Sequence, residues 1–164
     1  MNKTTKKIAL LGIFSALYVV LSFAMKIPLI AHIQTDFGYI AFGVGCAAIG
    51  APAFIIGVLG CLIVSLLTSG WVPIGWMLGQ VAIGIICGLV YKRSKSTLLC
   101  IVVTVLAVFV GIGGIKTVVE CYLYSIPFAV KIPKNLIASI ADCIPMIVGF
   151  LVATKTALKK YIVE

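Results

Sequence analysis

The sequence predicts an all-α integral membrane protein, with six transmembrane helices forming one domain over residues 1–164. Three observations predict it. First, 63% of the residues are hydrophobic and 10% are charged, whereas a soluble domain carries about 25% charged residues. Second, the mean hydropathy is +1.28, so most of the chain must be solvated by lipid. Third, the basic residues fall in short clusters between apolar runs. That is how membrane topology signals are placed, and not how a nucleic-acid-binding face is built, despite a net charge of +9. At about 20 residues per span, the length accommodates six helices with short loops.

Each element follows from local composition. MNKTTKK is a basic start, and the apolar run after it has the length of a span and no AxA-type cleavage site. It reads as a retained first helix over residues 8–25. KIPLIAHIQTD, 26–36, is too polar to lie in lipid as open chain and reads as a loop. Residues 37–67 carry no charge and exceed one span. The GAPA turn at 50–53 divides them into helices 37–49 and 52–68. Both are short, which suits a protein whose cavity opens on one side. TSGWVPIGW breaks the chain before a fourth span, 73–91, and KRSKS at 92–96 is a basic loop. The fifth span, 97–124, continues through KTVVECYLY. IPFAVKIPK, 126–134, holds two prolines and reads as a loop before the last span, 135–155, and its basic tail.

Alternating crossings place nine basic residues on one side (Lys3, Lys6, Lys7, Lys92, Arg93, Lys95, Lys155, Lys159, Lys160) and three on the other (Lys26, Lys131, Lys134). Basic loops stay in the cytoplasm. Both termini are therefore expected on the cytoplasmic side of the cell membrane.

The polar and aromatic residues gather at the opposite, external end. His32, Gln34 and Asp36 lie in the first external loop, and Trp71 and Trp76 flank the second. Tyr124 and Asn135 adjoin the third, with Gln80, Glu120, Ser139 and Asp142 one or two turns deeper. Aromatic walls with a few convergent polar groups are what a small-molecule site requires. Interfacial belts also collect Trp and Tyr without binding anything. Lys116 and Glu120, four apart, share a helix face and are placed to neutralise each other. Asp142 has only Ala138, Ser139, Pro145 and Met146 at helical spacing. A carboxylate costs about 2.5–3.5 kcal/mol at the bilayer centre, so its partner must come from another element, water or a ligand. Asn135, Ser139 and Asp142 form one polar stripe, with Asp142 about 10 Å below a helix start at Asn135.

The six cysteines lie in apolar runs without a CxxC pair and read as small buried hydrophobes. His32 is the sole histidine, and neither a metal set nor a cofactor motif is recognisable. No Walker A, HExxH or GxSxG motif occurs, so the chain is not expected to be an enzyme. Any uphill transport must draw on a partner or an ion gradient.

The layout resembles the substrate-binding S components of energy-coupling factor (ECF) vitamin transporters. The likeness rests on the basic start followed by ALLGIFSALYVVLS, and on DFGYIAFGVGCAAIGAPAFIIGVLGCLIVSLL, where a loop residue leads into two short Gly/Ala-rich helices. The basic loop, last helix and basic tail extend it over nearly the whole chain. The resemblance implies capture of a vitamin-like small molecule from outside, with a transmembrane coupling subunit and two ATPase subunits as partners. It implies that the first helix docks on the coupling subunit through small residues four apart, here Gly12 and Ala16. It also implies gating by the loop at 26–36 and toppling of the whole subunit. The alternative is a stand-alone proton-coupled secondary transporter working through Asp142 and Glu120.

Overall fold

The computed structural model describes residues 3–28 and 34–155. It is almost wholly helical, and hydrogen-bond bookkeeping explains why: in lipid a helix satisfies its own backbone groups. The helices are α1 (Lys3–Ala24), α2 (Gly38–Ile49), α3 (Phe54–Ser69), α4 (Ile74–Arg93), α5 (Thr97–Val108), α6 (Thr117–Tyr124) and α7 (Phe128–Lys155). A π-helical segment, Phe109–Lys116, joins α5 to α6, so Thr97–Tyr124 is one long rod. Among the described residues five rods are long and apolar enough to cross a membrane; Gly38–Ile49 is a shorter apolar helix. Large apolar side chains cover the outside, among them Ile8, Leu67, Leu98 and Ile144, each more than 60% exposed. Such a surface is stable against lipid and not against water.

The short α2 is the axis of the bundle. Eleven of its residues, from Ala41 to Ile49 together with Gly38 and Tyr39, are buried, and it packs on α7, α1 and α4. Glycines permit that approach: a Cβ at Gly43 would strike the Met146 carbonyl, and one at Gly149 the Ile40 carbonyl. Gly50, at φ 86°, ends α2 in a conformation that glycine adopts freely. A 3-10 turn, Ala51–Ala53, carrying Pro52 then leads into α3.

Four sequence expectations are corrected. Residues 26–36 include a small hairpin rather than plain loop: β1 (Lys26–Pro28) pairs antiparallel with β2 (Gln34–Asp36), Lys26 opposite Asp36. The first helix begins at Lys3 rather than at residue 8, because the Lys-Thr start continues the helical ladder beyond the apolar run. The segment 126–134 is not a loop. Pro127 stands just before α7, its carbonyl accepts from the Val130 and Lys131 amides, and Pro133 lies inside the helix. A proline removes one i→i−4 bond, here the one to the Ala129 carbonyl in the opening turns of α7. The last helix consequently starts seven residues before Asn135, and Asp142 lies about 21 Å from its start at 1.5 Å per residue. Lys116 and Glu120 also do not form the expected ion pair: Glu120 is bound by Lys131, 2.7 Å away, which the extended α7 brings within reach.

Candidate binding site

The polar residues converge where β2 meets α1, α2 and α7, and α4 joins them through Tyr39 on α2. Asp36 ends β2 and binds three elements. Its carboxylate accepts from Tyr18 Oη at 2.7 Å, from the Ser22 hydroxyl, and from the Gly38 amide at 2.8 Å. Its own amide donates to Asp142 Oδ1 at 3.1 Å. Tyr18 and Ser22 are four apart on α1 and so face the same way. The Gly38 bond is an Asx-type turn that starts α2, and a Cβ at Gly38 would collide with Ser22 and the Tyr18 ring. Burial pushes the Asp36 carboxyl above its ordinary value of 3.8, against the bonds from Ser22, Tyr18 and Gly38, which favour its charge.

A second group surrounds Tyr39, which is buried on α2 against Tyr18 and Phe42. Its hydroxyl accepts from Trp76 Nε1 at 3.3 Å and from Gln80 Nε2 at 2.5 Å. With two N–H groups donated to that oxygen, its own hydrogen is turned elsewhere. Gln80 is fully buried, and its Oε1 has no donor among the described residues. A buried acceptor left open costs about 1–3 kcal/mol. Lys116 Nζ stands over the Trp76 ring, 5.1 Å from its centroid, a cation–π distance.

The third group is on the long rod and α7. Asn135 Nδ2 donates to Thr117 Oγ1 at 2.9 Å, and Ser139 Oγ donates to the Asn135 carbonyl at 2.8 Å. Thr117 Oγ1 also donates to the Ile112 carbonyl at 3.1 Å, closing the π segment. Glu120 and Lys131 bridge α6 to α7.

Asp36, Trp76, Gln80 and Asp142 are thus brought together through Tyr39 and the hairpin, with Asn135 and Ser139 on the adjoining stripe. Trp71 is half exposed and pairs with Tyr124, ring centroids 5.0 Å apart, at the rim. His32 lies outside the described residues, and Gln34 is placed by its backbone, opposite Pro28. Gly12 and Ala16 are exposed on α1, with nothing within 4 Å of a Cβ at Gly12, while Phe14, Ser15 and Tyr18 turn inward. Sequence reasoning missed Tyr18, Ser22 and Tyr39. The signal available was the pair of hydroxyls four apart within an apolar helix.

An all-helical bundle with an apolar exterior, and with its buried carboxylates, amides and aromatics gathered at one end, defines an integral membrane protein built around an intramembrane polar site. The chain belongs to the family of ECF-type riboflavin transporter S components, whose sequence model matches residues 2–160. That family is a substrate-binding transporter component and not an enzyme. Among solved structures the chain is similar to the S-component for biotin from an ECF-type ABC transporter, with a TM-score of 0.69 and 17% identity over 98% of this chain and 95% of that one. At that identity the likeness concerns the fold. A comparison with curated proteins gives no match.

Proposed function

We propose that this chain captures riboflavin, or a closely related planar heterocycle, from outside the cell and delivers it to a coupling subunit and two ATPase subunits for ATP-driven uptake. The family match over residues 2–160 carries this reading. The site chemistry supports it. Trp76 supplies an aromatic face, Gln80 Oε1 and the second Asp142 oxygen are acceptors, and Tyr39 and Lys116 are donors. Acceptors and donors set side by side in a largely apolar site complement the alternating N–H and C=O edge of a fused heterocycle, such as the imide of a flavin ring. In this reading the segment 26–36 gates the site, and the basic end faces the cytoplasm.

The test is titration of purified protein with riboflavin, followed by quenching of flavin and tryptophan fluorescence, with biotin as comparator. Riboflavin is expected to bind at a single site and biotin far more weakly. Uptake in vesicles is expected only when the coupling and ATPase subunits are present. Uptake by the lone protein driven by a pH gradient would support the secondary-transporter alternative instead.

A further inference from the structure

The basic end of the bundle carries a second, differently built cavity. It has a volume of about 690 Å³ and lies between the α4–α5 turn and the end of α7. Lys92, Arg93, Lys95 and Lys155 line it, with the hydroxyl residues Ser94 and Thr97 between them. Among the described residues no carboxylate lines it. Basic residues at a membrane border are expected for topology alone, but a shaped cavity is not. The turn is held in shape by three bonds: Ser94 N–H to the Val90 carbonyl at 2.8 Å, Ser96 N–H to Ser94 Oγ at 3.1 Å, and Leu99 N–H to Ser96 Oγ at 3.4 Å. The first turn of α5 also opens here, adding its partial positive charge.

An apolar groove of about 610 Å³ adjoins this cavity and shares Arg93 and Ser94 with it. Its other walls are Ile86, Leu89, Val90 and Leu99, with Leu89 and Leu99 41% and 49% exposed. The groove follows α4 from the charged turn toward the middle of the bundle's apolar exterior. A cationic, hydroxyl-rich cavity that shares the Arg93–Ser94 wall with an apolar groove matches one chemistry: a phosphate joined to a hydrocarbon chain. We propose that this end of the protein binds an anionic phospholipid. Its phosphate lies among Arg93, Lys95, Lys155 and the α5 start, and one acyl chain lies along the α4–α5 groove. Each cation near an anionic headgroup favours binding by electrostatics alone; the fixed turn and groove add selectivity for one lipid orientation.

Native mass spectrometry of the full chain, delipidated in detergent and then given defined lipids, tests this. Phosphatidylglycerol and phosphatidylcholine of identical chains are compared, with glycerol 3-phosphate as the free headgroup. Phosphatidylglycerol is expected to bind roughly tenfold or more tighter than phosphatidylcholine, and glycerol 3-phosphate is expected not to displace it at equal concentration. Arg93→Gln combined with Lys95→Gln should bring phosphatidylglycerol down to the phosphatidylcholine level. Lys134→Gln, at the opposite end, should leave it unchanged. Equal binding of the two lipids, an unaffected double variant, or an equal loss in Lys134→Gln overturns the proposal. Displacement by glycerol 3-phosphate also overturns it, in favour of a free-phosphate site. Should the double variant fail to fold, the comparison of the two lipids on the native chain still decides.

Discussion

The Asp36 amide donates to Asp142 Oδ1 at 3.1 Å, across 106 residues of sequence. This bond ties the hairpin to the middle of α7 and gives the intramembrane carboxylate a protein partner. It separates two roles of Asp142. Asp142→Asn keeps an oxygen acceptor, so the fold is expected to hold within about 1 kcal/mol, while ligand affinity falls through the altered second oxygen. Asp142→Ala leaves the buried amide unpaired and should cost about 1–3 kcal/mol. Thermal unfolding in detergent, read beside riboflavin titration, checks both. Unchanged affinity in Asp142→Asn would remove Asp142 from the site.

Asp36 should make stability pH-dependent. Its folded value is raised above 3.8, chiefly by burial, so the folded state binds the proton more tightly than the unfolded chain. The resulting stabilisation is full below 3.8 and is lost as pH rises through the folded value. The melting temperature of the native chain relative to Asp36→Asn should therefore fall as pH rises through that window. Tyr18→Phe removes a donor that favours the charged form and should extend the loss to higher pH. A difference that does not change with pH would contradict this.

Glu120 and Lys131 hold α6 to the extended start of α7, and both are mostly buried, at 13% and 20% exposure. A double-mutant cycle with Glu120→Gln and Lys131→Gln should give a coupling energy of about 1–3 kcal/mol in thermal unfolding. A coupling near zero would mean that solvent screens the pair.

The sequence revealed the apolar rods, the break at Pro52 and the collection of polar groups at one end, because hydropathy and turn residues act locally. It hid what depends on tertiary partners. Lys116 and Glu120 share a face by spacing, but the cross-helix partner Lys131 takes Glu120, and the Trp76 ring takes Lys116. Pro127 and Pro133 suggested a loop because prolines usually interrupt helices. Here one precedes the helix and the other costs a single bond near its end. Tyr18, Ser22 and Tyr39 passed for apolar-run residues, because their hydroxyls acquire meaning only when Asp36, Trp76 and Gln80 arrive from elsewhere.

The exposed and buried glycines should respond in opposite ways. Gly149→Ala places a Cβ against the Ile40 carbonyl and should destabilise the bundle by about 1–3 kcal/mol. At exposed Gly12 a Cβ meets nothing within 4 Å, so Gly12→Leu should leave thermal unfolding and ligand binding intact. If α1 is the docking face, Gly12→Leu abolishes uptake by the assembled transporter. Full uptake in that variant would place docking elsewhere.

Riboflavin binding to the purified, folded chain tests the central claim most directly. The account predicts saturable quenching of flavin fluorescence at one site per chain, and an affinity about tenfold or more lower in Asp142→Asn and Gln80→Ala. A folded protein that leaves flavin fluorescence unchanged, or that binds biotin as tightly as riboflavin, would contradict it.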